Sequence, residues 1–165
     1  MTRTVLITGG TYGIGRAIAE KFAADHNVLR SYQKTKPSDD LEAQSNVVSY
    51  SCDLLQDGSA ENLVIRAMDH FGRIDVIVNN AGLVRSTPIE SFDAEAHRQV
   101  FELNAIAPQA LLTAALPHLS AGAAIVNISS MNAGRRPTGP ARLRSISGPK
   151  RWQKSSARRA SVSMR

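Results

Sequence analysis

The chain has 165 residues, a formal net charge of +6 and a single cysteine. This length suits one domain with a sizeable buried core. One cysteine excludes a disulfide framework and a thiolate metal site, and the four histidines are scattered without the spacing of metal ligands, so we expect no metal.

The positive charge lies at the end of the chain. Residues 1–134 contain 10 Lys and Arg against 14 Asp and Glu, a net charge of −4, whereas residues 135–165 contain 10 Lys and Arg and no acid. A basic arm of this kind can bind nucleic acid. It has one aromatic residue, Trp152, and no nucleic-acid-binding motif, so we expect no nucleic-acid partner. With neither a leader-like start nor an apolar run of about 18 residues, we expect a cytoplasmic protein without a membrane segment.

The first element in chain order is an apolar run at residues 4–7, followed by a glycine-dense turn and an amphipathic helical pattern over residues 13–24. This strand–turn–helix order is typical of a loop that binds phosphate through backbone N–H groups. A tight turn without a ligand would use the same residues, so the loop alone does not decide the question. The candidate cofactor contacts in the loop are Thr8, Gly9, Thr11, Tyr12, Gly13, Ile14 and Gly15.

A second strand is predicted around Val28 and Leu29, and basic residues follow over 30–36 with no acid before Asp39. In dinucleotide-binding folds an acid at this place binds the adenosine ribose, whereas basic residues favour a 2′-phosphate. Arg30 is therefore a candidate cofactor contact, and NADP(H) is favoured over NAD(H). A solvated basic loop would have the same composition.

Strands and helices continue to alternate, which predicts an α/β fold with a parallel, doubly wound sheet of about five strands. Ligands of such sheets bind at the carboxyl ends of the strands, where Asp53 and residues 79–82 fall. The remaining strands are expected at residues 46–51, 74–78 and 123–128, and the helices at 58–71 and 93–118, the last as one long helix.

Several motifs, in this order, resemble those of the short-chain dehydrogenase/reductase family. They are the loop that starts at Thr8-Gly9, the acid Asp53, the sequence Asn79-Asn80-Ala81-Gly82, the helical Asn104, and Asn127-Ile128-Ser129-Ser130. The resemblance covers residues 3 to about 137. It implies a Rossmann-type fold in which the glycine loop, Asp53, Leu54, Asn80, Ala81 and Gly82 bind NAD(P)(H).

The same resemblance implies hydride transfer between the cofactor and a small carbonyl or alcohol substrate. In the family a tyrosine exchanges a proton with the substrate oxygen, and a lysine four residues later lowers the pKa of that tyrosine. The serine hydrogen-bonds the substrate oxygen, and the asparagine supports a water relay. The implied catalytic residues are Asn104, Lys150 and Ser130, with Ser129 as second choice for the serine.

The chain departs from the family pattern after the serine. Its tyrosines are Tyr12, Tyr32 and Tyr50, and Ile146 occupies the tyrosine's place four residues before Lys150. Residues 135–165 lack the periodicity of a helix or strand, which predicts an irregular basic tail after a Rossmann domain at residues 1–134.

Two hypotheses account for this departure. The chain is a C-terminally truncated or frame-shifted oxidoreductase, or alternatively a non-catalytic nucleotide-binding module. In the family the helix with Asn104 packs in an oligomer interface, which we do not expect this chain to keep. An incomplete sheet predicts an exposed apolar face and an open edge.

Overall fold

The computed structural model of the chain describes residues 2–38, 40–85 and 90–129. Strands and helices alternate through these residues, as the sequence predicts. The main elements are β1 (Thr4–Ile7), α1 (Gly13–Ala23), β2 (Asn27–Tyr32), β3 (Val47–Ser51), α2 (Ser59–Phe71), β4 (Ile74–Asn79), α3 (Ala94–Phe101), α4 (Ala107–Ala115) and β5 (Leu119–Asn127). The shorter elements are the 3₁₀ turns Asp40–Ala43 and Leu116–His118 and the π-helical segment Glu102–Ile106.

The strands form one parallel sheet in the order β3-β2-β1-β4-β5. The chain runs outward from β1 in one direction to β3 and then returns to β4 on the other side of β1. The switch point therefore lies at the carboxyl end of β1, which is where ligands bind in open parallel sheets. The predicted α/β, doubly wound architecture with five strands is confirmed for the described residues.

Helices cover both faces of this sheet. One face, formed by side chains such as Val5 and Val28, packs against Ala19 of α1. The opposite face, formed by side chains such as Leu6 and Ile77, packs against α2 and α4. Strands buried on both faces are the reason that the sequence shows continuous apolar runs rather than alternation.

Three elements differ from the sequence prediction, and one of them is β5, which begins at Leu119 rather than at residue 123. β2 continues through Tyr32, so Arg30 lies inside the strand rather than after it. The single helix expected at residues 93–118 is interrupted by the π-helical segment, in which the N–H of Ala107 donates to the carbonyl of Glu102. Pro108 contributes to this break, because it lacks the N–H that would bond to the carbonyl of residue 104 in a continuous α-helix.

At the amino end of the sheet, the buried Asp75 of β4 joins two strands. Its carboxylate accepts hydrogen bonds from the backbone N–H of Thr4 at 2.8 Å and from Nε of Arg73 at 2.7 Å. The bond from Arg73 is the main reason that the pKa of Asp75 lies below its ordinary value, and the Thr4 bond lowers it further. Burial alone would have raised this pKa, so Asp75 is held as a charged acceptor.

β5 lies at the edge of the described sheet, and apolar side chains at its end are partly exposed. The exposed fractions are 36% for Ile125, 41% for Val126 and 37% for Ile128. Among the described residues no strand pairs with the outer side of β5. The described residues thus leave apolar side chains exposed at this edge of the sheet.

None of the helices in the described ranges is long and apolar enough to cross a membrane.

Candidate cofactor-binding site

The turn between β1 and α1 has the backbone shape that its glycines allow. Gly9 and Gly13 have φ angles of +65° and +55°, in the left-handed region that other residues rarely adopt. Gly15 meets a different requirement, since a Cβ there would collide with the carbonyl oxygen of Gly9 and with Nδ2 of Asn80. Glycine at position 15 therefore allows α1 to start directly against the turn.

The turn is tied to the carboxyl end of β4 by Thr8 and Asn80. Oγ1 of Thr8 accepts hydrogen bonds from the backbone N–H groups of Asn80 and Ala81, both at 3.0 Å. Nδ2 of Asn80 donates to the carbonyl oxygens of Thr8 and Gly9, also at 3.0 Å. The glycine turn and the Asn79–Gly82 motif, which the sequence predicts separately, are thus joined by four hydrogen bonds, which we call the Asn80 clamp. The Thr8 hydroxyl accepts two of these bonds.

The N-terminus of α1 opens from this unit and has no side-chain cap. Its N-cap residue, Tyr12, makes no capping hydrogen bond, and the first turn contains no acid. Nothing lies within 4 Å of the place where a Cβ of Gly13 would be. The first N–H groups of a helix have no partner within the helix. Together with the dipole of α1 they suit the pyrophosphate of a dinucleotide.

Beside the turn is an open cleft of about 440 Å³. Pockets of this size lie within the usual range for small-molecule and cofactor sites. Of the predicted cofactor contacts, it is lined by Gly9, Tyr12, Asp53, Leu54, Asn80, Ala81 and Gly82. The other lining residues, which the sequence did not single out, are Ser31, Tyr32, Gln33, Lys34, Cys52, Leu55, Leu83, Arg85, Gln99 and Leu103.

Asp53 and Cys52 form the part of the cleft wall that follows β3. Oδ1 of Asp53 accepts a hydrogen bond from the N–H of Leu55 at 3.1 Å, which shapes the turn before α2. Burial raises the pKa of the half-buried Cys52 thiol, so it stays protonated at neutral pH. Its environment is that of a packed wall residue rather than of a nucleophile.

Gly9 and Tyr12 of the predicted loop line the cleft, whereas its other members do not, namely Thr8, Thr11, Gly13, Ile14 and Gly15. Thr11 is buried, and its hydroxyl donates to the carbonyl of Thr35 at 2.8 Å. Ile14 is in the first turn of α1, and its side chain is 64% exposed. Thr11 thus anchors the segment after β2, while Ile14 faces outward near the open helix terminus.

Arg30, another predicted cofactor contact, does not line the cleft either. Its side chain is fully buried within the sheet layer. Nε donates to Oγ of Ser49 at 2.8 Å, and Nη2 donates to Oε1 of Glu42 at 2.9 Å. The cleft wall near β2 is formed instead by residues 31–34. Sequence reasoning noted the basic stretch but had no way to choose Lys34 within it.

Asn104 lies in the π-helical segment and clasps the backbone that follows β4. Its Oδ1 accepts from the N–H of Leu83 at 2.8 Å, and its Nδ2 donates to the carbonyl of Leu83 at 2.7 Å. A Cβ on Gly82 would approach Oδ1 of Asn104 to 3.2 Å. Asn104 therefore lies against Gly82, another predicted site residue. We call the two bonds between Asn104 and Leu83 the Asn104 clasp, which joins the helix to the cleft wall.

The remaining catalytic predictions fall largely outside the described residues. Ser129 follows β5 at the carboxyl edge of the sheet and is exposed, whereas Ser130 and Lys150 lie beyond the described ranges. The strand end before Ser129 is fixed by Asn79, whose Nδ2 donates to Oδ1 of Asn127 at 2.8 Å. In the described residues, no group of three or more His, Cys, Asp or Glu side chains is placed to hold a metal.

A sequence model of the family described as "short chain dehydrogenase" matches residues 3–141. The "Granaticin polyketide synthase putative ketoacyl reductase 2" of Streptomyces violaceoruber is 36% identical over 142 residues, which are 81% of this chain and 57% of that protein.

Two solved structures are similar in fold and in sequence. A short chain dehydrogenase from Burkholderia cenocepacia J2315 in complex with NADP has a TM-score of 0.71 and 30% identity, covering 82% of this chain and 58% of that one. A blue fluorescent protein from a metagenomic library in complex with NADPH has a TM-score of 0.73 and 26% identity, covering 81% of this chain and 59% of that one. The chain thus spans somewhat more than half the length of these relatives. With the glycine turn, the Asn80 clamp and the Asn104 clasp in place, the chain belongs to the short-chain dehydrogenase family.

Proposed function

We propose that the chain is the cofactor-binding part of an oxidoreductase that transfers a hydride between NADP(H) and a small carbonyl or alcohol substrate. The observation that carries this proposal is the uncapped N-terminus of α1 beside a cleft at the switch point of the sheet. A bound nicotinamide cofactor would supply the hydride chemistry. The chain's own residues would bind and orient it.

In this proposal the N–H groups at Gly13, Ile14 and Gly15 face the pyrophosphate. Asp53 and Leu54 form the wall at the adenine, and Asn80, Ala81 and Gly82 form the wall at the ribose. The clamp between Thr8 and Asn80 keeps the turn in shape without the ligand, so the site does not have to reorganise when the cofactor binds.

NADP(H) rather than NAD(H) is proposed on charge grounds. Lys34 and Arg85 both line the cleft, and among the lining residues that the structure describes Asp53 is the one acid. A cation beside the end of β2 favours a 2′-phosphate, whereas an acid would favour a free ribose hydroxyl. The two structural relatives described above are complexes with NADPH and NADP, which is in line with this choice.

For the chemistry we propose Asn104, Ser130 and Lys150, with Ser129 as the second choice for the serine. Asn104 acts from the clasp with Leu83. The proton-transferring tyrosine of the family has no counterpart, because the last tyrosine of this chain is Tyr50. That observation supports a second candidate function, a nucleotide-binding module without turnover.

The first experiment is titration of the purified chain with NADPH and NADH, followed by nicotinamide fluorescence and by thermal shift. The test variant is Ile14→Asp. Because Ile14 is exposed in the first turn of α1, an acid there suits the helix dipole but repels a pyrophosphate. We expect Ile14→Asp to melt at or above the wild-type temperature and to lose at least about tenfold in affinity, which corresponds to about 1.4 kcal/mol.

Ile65→Asp is the matched control, since Ile65 is 53% exposed on α2 and does not line the cleft. Equal nucleotide binding by the Ile14→Asp and Ile65→Asp variants would refute the proposed site. Consumption of NADPH with a panel of aldehydes and ketones would show an active oxidoreductase and refute the nucleotide-binding module. Saturable binding without consumption would refute an active enzyme and is expected both of the module and of an oxidoreductase part that lacks its tyrosine.

A further inference from the structure

Arg30 is buried in the middle of β2, where a charged side chain is rare unless it is paired. Its guanidinium bonds to Ser49 of β3 and to Glu42 of the 3₁₀ turn Asp40–Ala43. Ser49 and Glu42 also hydrogen-bond to each other. We call Arg30, Ser49 and Glu42 the Arg30 cluster.

The cluster lies directly beneath the glycine turn. A Cβ on Gly10 would come within 2.6 Å of the Cβ of Arg30, so the turn rests on the Arg30 backbone. The N–H of Gly10 also donates to the carbonyl of Ser31 at 2.9 Å, and the N–H of Gly9 donates to Oγ of Ser31 at 3.3 Å. β2 therefore contacts the glycine turn at Gly9 and Gly10, and through Arg30 it also binds Glu42 of the 3₁₀ turn.

Between these supports runs segment 33–38, which carries Lys34 into the cleft wall. On the glycine-turn side, Thr11 holds the carbonyl of Thr35 at 2.8 Å. The 3₁₀ turn Asp40–Ala43 follows the segment in the chain, and Arg30 holds this turn through Glu42 at 2.9 Å. Thr11 thus anchors the segment itself, and Arg30 anchors the turn that comes after it.

We infer that Arg30 is a positioning residue, which sets the selectivity for the 2′-phosphate by holding segment 33–38 and Lys34 in place through Glu42. This inference rests on the proposed function. Glu42 is 44% exposed in its side chain, whereas Arg30 is 0% exposed, so the carboxylate reaches inward to the cation. For Arg30 to bind a phosphate directly, its buried guanidinium would have to give up its bonds to Glu42 and Ser49 and become accessible.

The two roles of Arg30 predict opposite effects of Glu42→Ala. If Arg30 positions Lys34, removing Glu42 loosens segment 33–38 and lowers the affinity for NADPH. If Arg30 contacts the phosphate, removing its competing carboxylate raises that affinity. Asp69→Ala is the control, because it changes the net charge equally at an exposed position of α2 outside the cleft.

The experiment measures the dissociation constants of NADPH and NADH for the full chain and for the variants Glu42→Ala, Asp69→Ala, Lys34→Gln and Glu42→Ala/Lys34→Gln. We expect Glu42→Ala and Lys34→Gln each to weaken NADPH binding about fivefold, with less than about a twofold change for NADH. The double variant should be no weaker than Lys34→Gln alone, because both changes remove one interaction. Asp69→Ala should bind both nucleotides as the wild type does.

Tighter NADPH binding by Glu42→Ala, or an unchanged ratio of the two affinities, would overturn the positioning role while leaving the proposed function intact. Fully additive losses in the double variant would overturn it as well, since Glu42 would then act independently of Lys34. A wild-type chain that binds neither nucleotide would refute the proposed function, and with it this inference. Melting curves of each variant confirm that binding is compared between folded proteins.

Discussion

Gly15→Ala is the most direct test of how the turn is built, because one methyl group meets two groups that are already bonded. The added Cβ would collide with the carbonyl oxygen of Gly9 and with Nδ2 of Asn80, and it would lie 3.0 Å from the carbonyl carbon of Gly9. Neither neighbour is the free end of a flexible side chain. Nδ2 of Asn80 is held by bonds of 3.0 Å to Thr8 and Gly9.

The expected loss of stability follows from the groups that the added methyl group would displace. Displacing Asn80 weakens two hydrogen bonds, each with a net contribution of about 0.5–1.5 kcal/mol. Overpacking against backbone adds about 1–3 kcal/mol. We therefore expect Gly15→Ala to lower the free energy of unfolding by about 2–6 kcal/mol, a large share of the roughly 5–15 kcal/mol of a typical domain. The melting temperature would fall by about 2–4 °C for each kcal/mol in a domain of this size.

The assay is urea unfolding followed by far-ultraviolet circular dichroism. Gly13→Ala is the control in the same loop, because Gly13 has a positive φ and nothing lies within 4 Å of its Cβ position, whereas the constraint at Gly15 is steric. Gly13→Ala should lower the free energy of unfolding only by the cost of holding alanine in the left-handed region, about 1–2 kcal/mol. If Gly15→Ala were as stable as Gly13→Ala, the close packing of the turn against Asn80 would not be a requirement of the fold.

Three further predictions concern other parts of the chain. Because the bond from Arg73 lowers the pKa of Asp75, this carboxylate stabilises the fold above a pH of about 4, and the contribution is lost as the pH falls through the lowered folded-state value. Asp75→Asn should therefore reduce the pH dependence of the urea midpoint between about pH 2 and 5. A pH dependence equal to that of the wild type would contradict the role of the ion pair. Asn104→Ala removes both bonds to Leu83 and should lower the stability by about 1–2 kcal/mol, whereas an unaltered melting temperature would mean that the clasp is replaced by water. Val126→Lys should slow self-association in light scattering by placing a charge on the exposed edge, and an equal rate would show that aggregation starts elsewhere.

The glycine turn could be predicted from the sequence because its requirements are local. Gly9 and Gly13 need a positive φ, and Gly15 needs a close approach, so each position selects one residue type. The alternation of apolar strands with amphipathic helices likewise depends on residues close in the chain. Element order and the placement of Asp53 and residues 79–82 at strand ends followed from it.

Arg30 could not be placed in this way, because its burial depends on residues that lie 12 and 19 positions away, Glu42 and Ser49. Without these partners a charged residue interrupts an apolar run, and the sequence predicts the strand only around Val28 and Leu29. The π-helical segment that interrupts the helix carries Asn104, whose hydrogen-bond partner, the backbone of Leu83, lies 21 positions earlier in the chain. Both differences involve a polar side chain whose partner is brought close by the fold.

Cofactor binding and proton transfer are separable in this chain. The groups proposed to hold the dinucleotide lie between Thr8 and Asn104, and they are joined by hydrogen bonds among β1, β4 and the π-helical segment. None of these bonds involves a residue after Asn104, so loss of the tyrosine does not remove any part of the clamp or the clasp. Binding of NADPH would therefore report on the turn, the cleft and Lys34, whereas turnover would additionally need a proton donor, which cannot be Ile146. A chain that binds the nucleotide without consuming a carbonyl substrate is the result most in keeping with both the described contacts and the missing tyrosine.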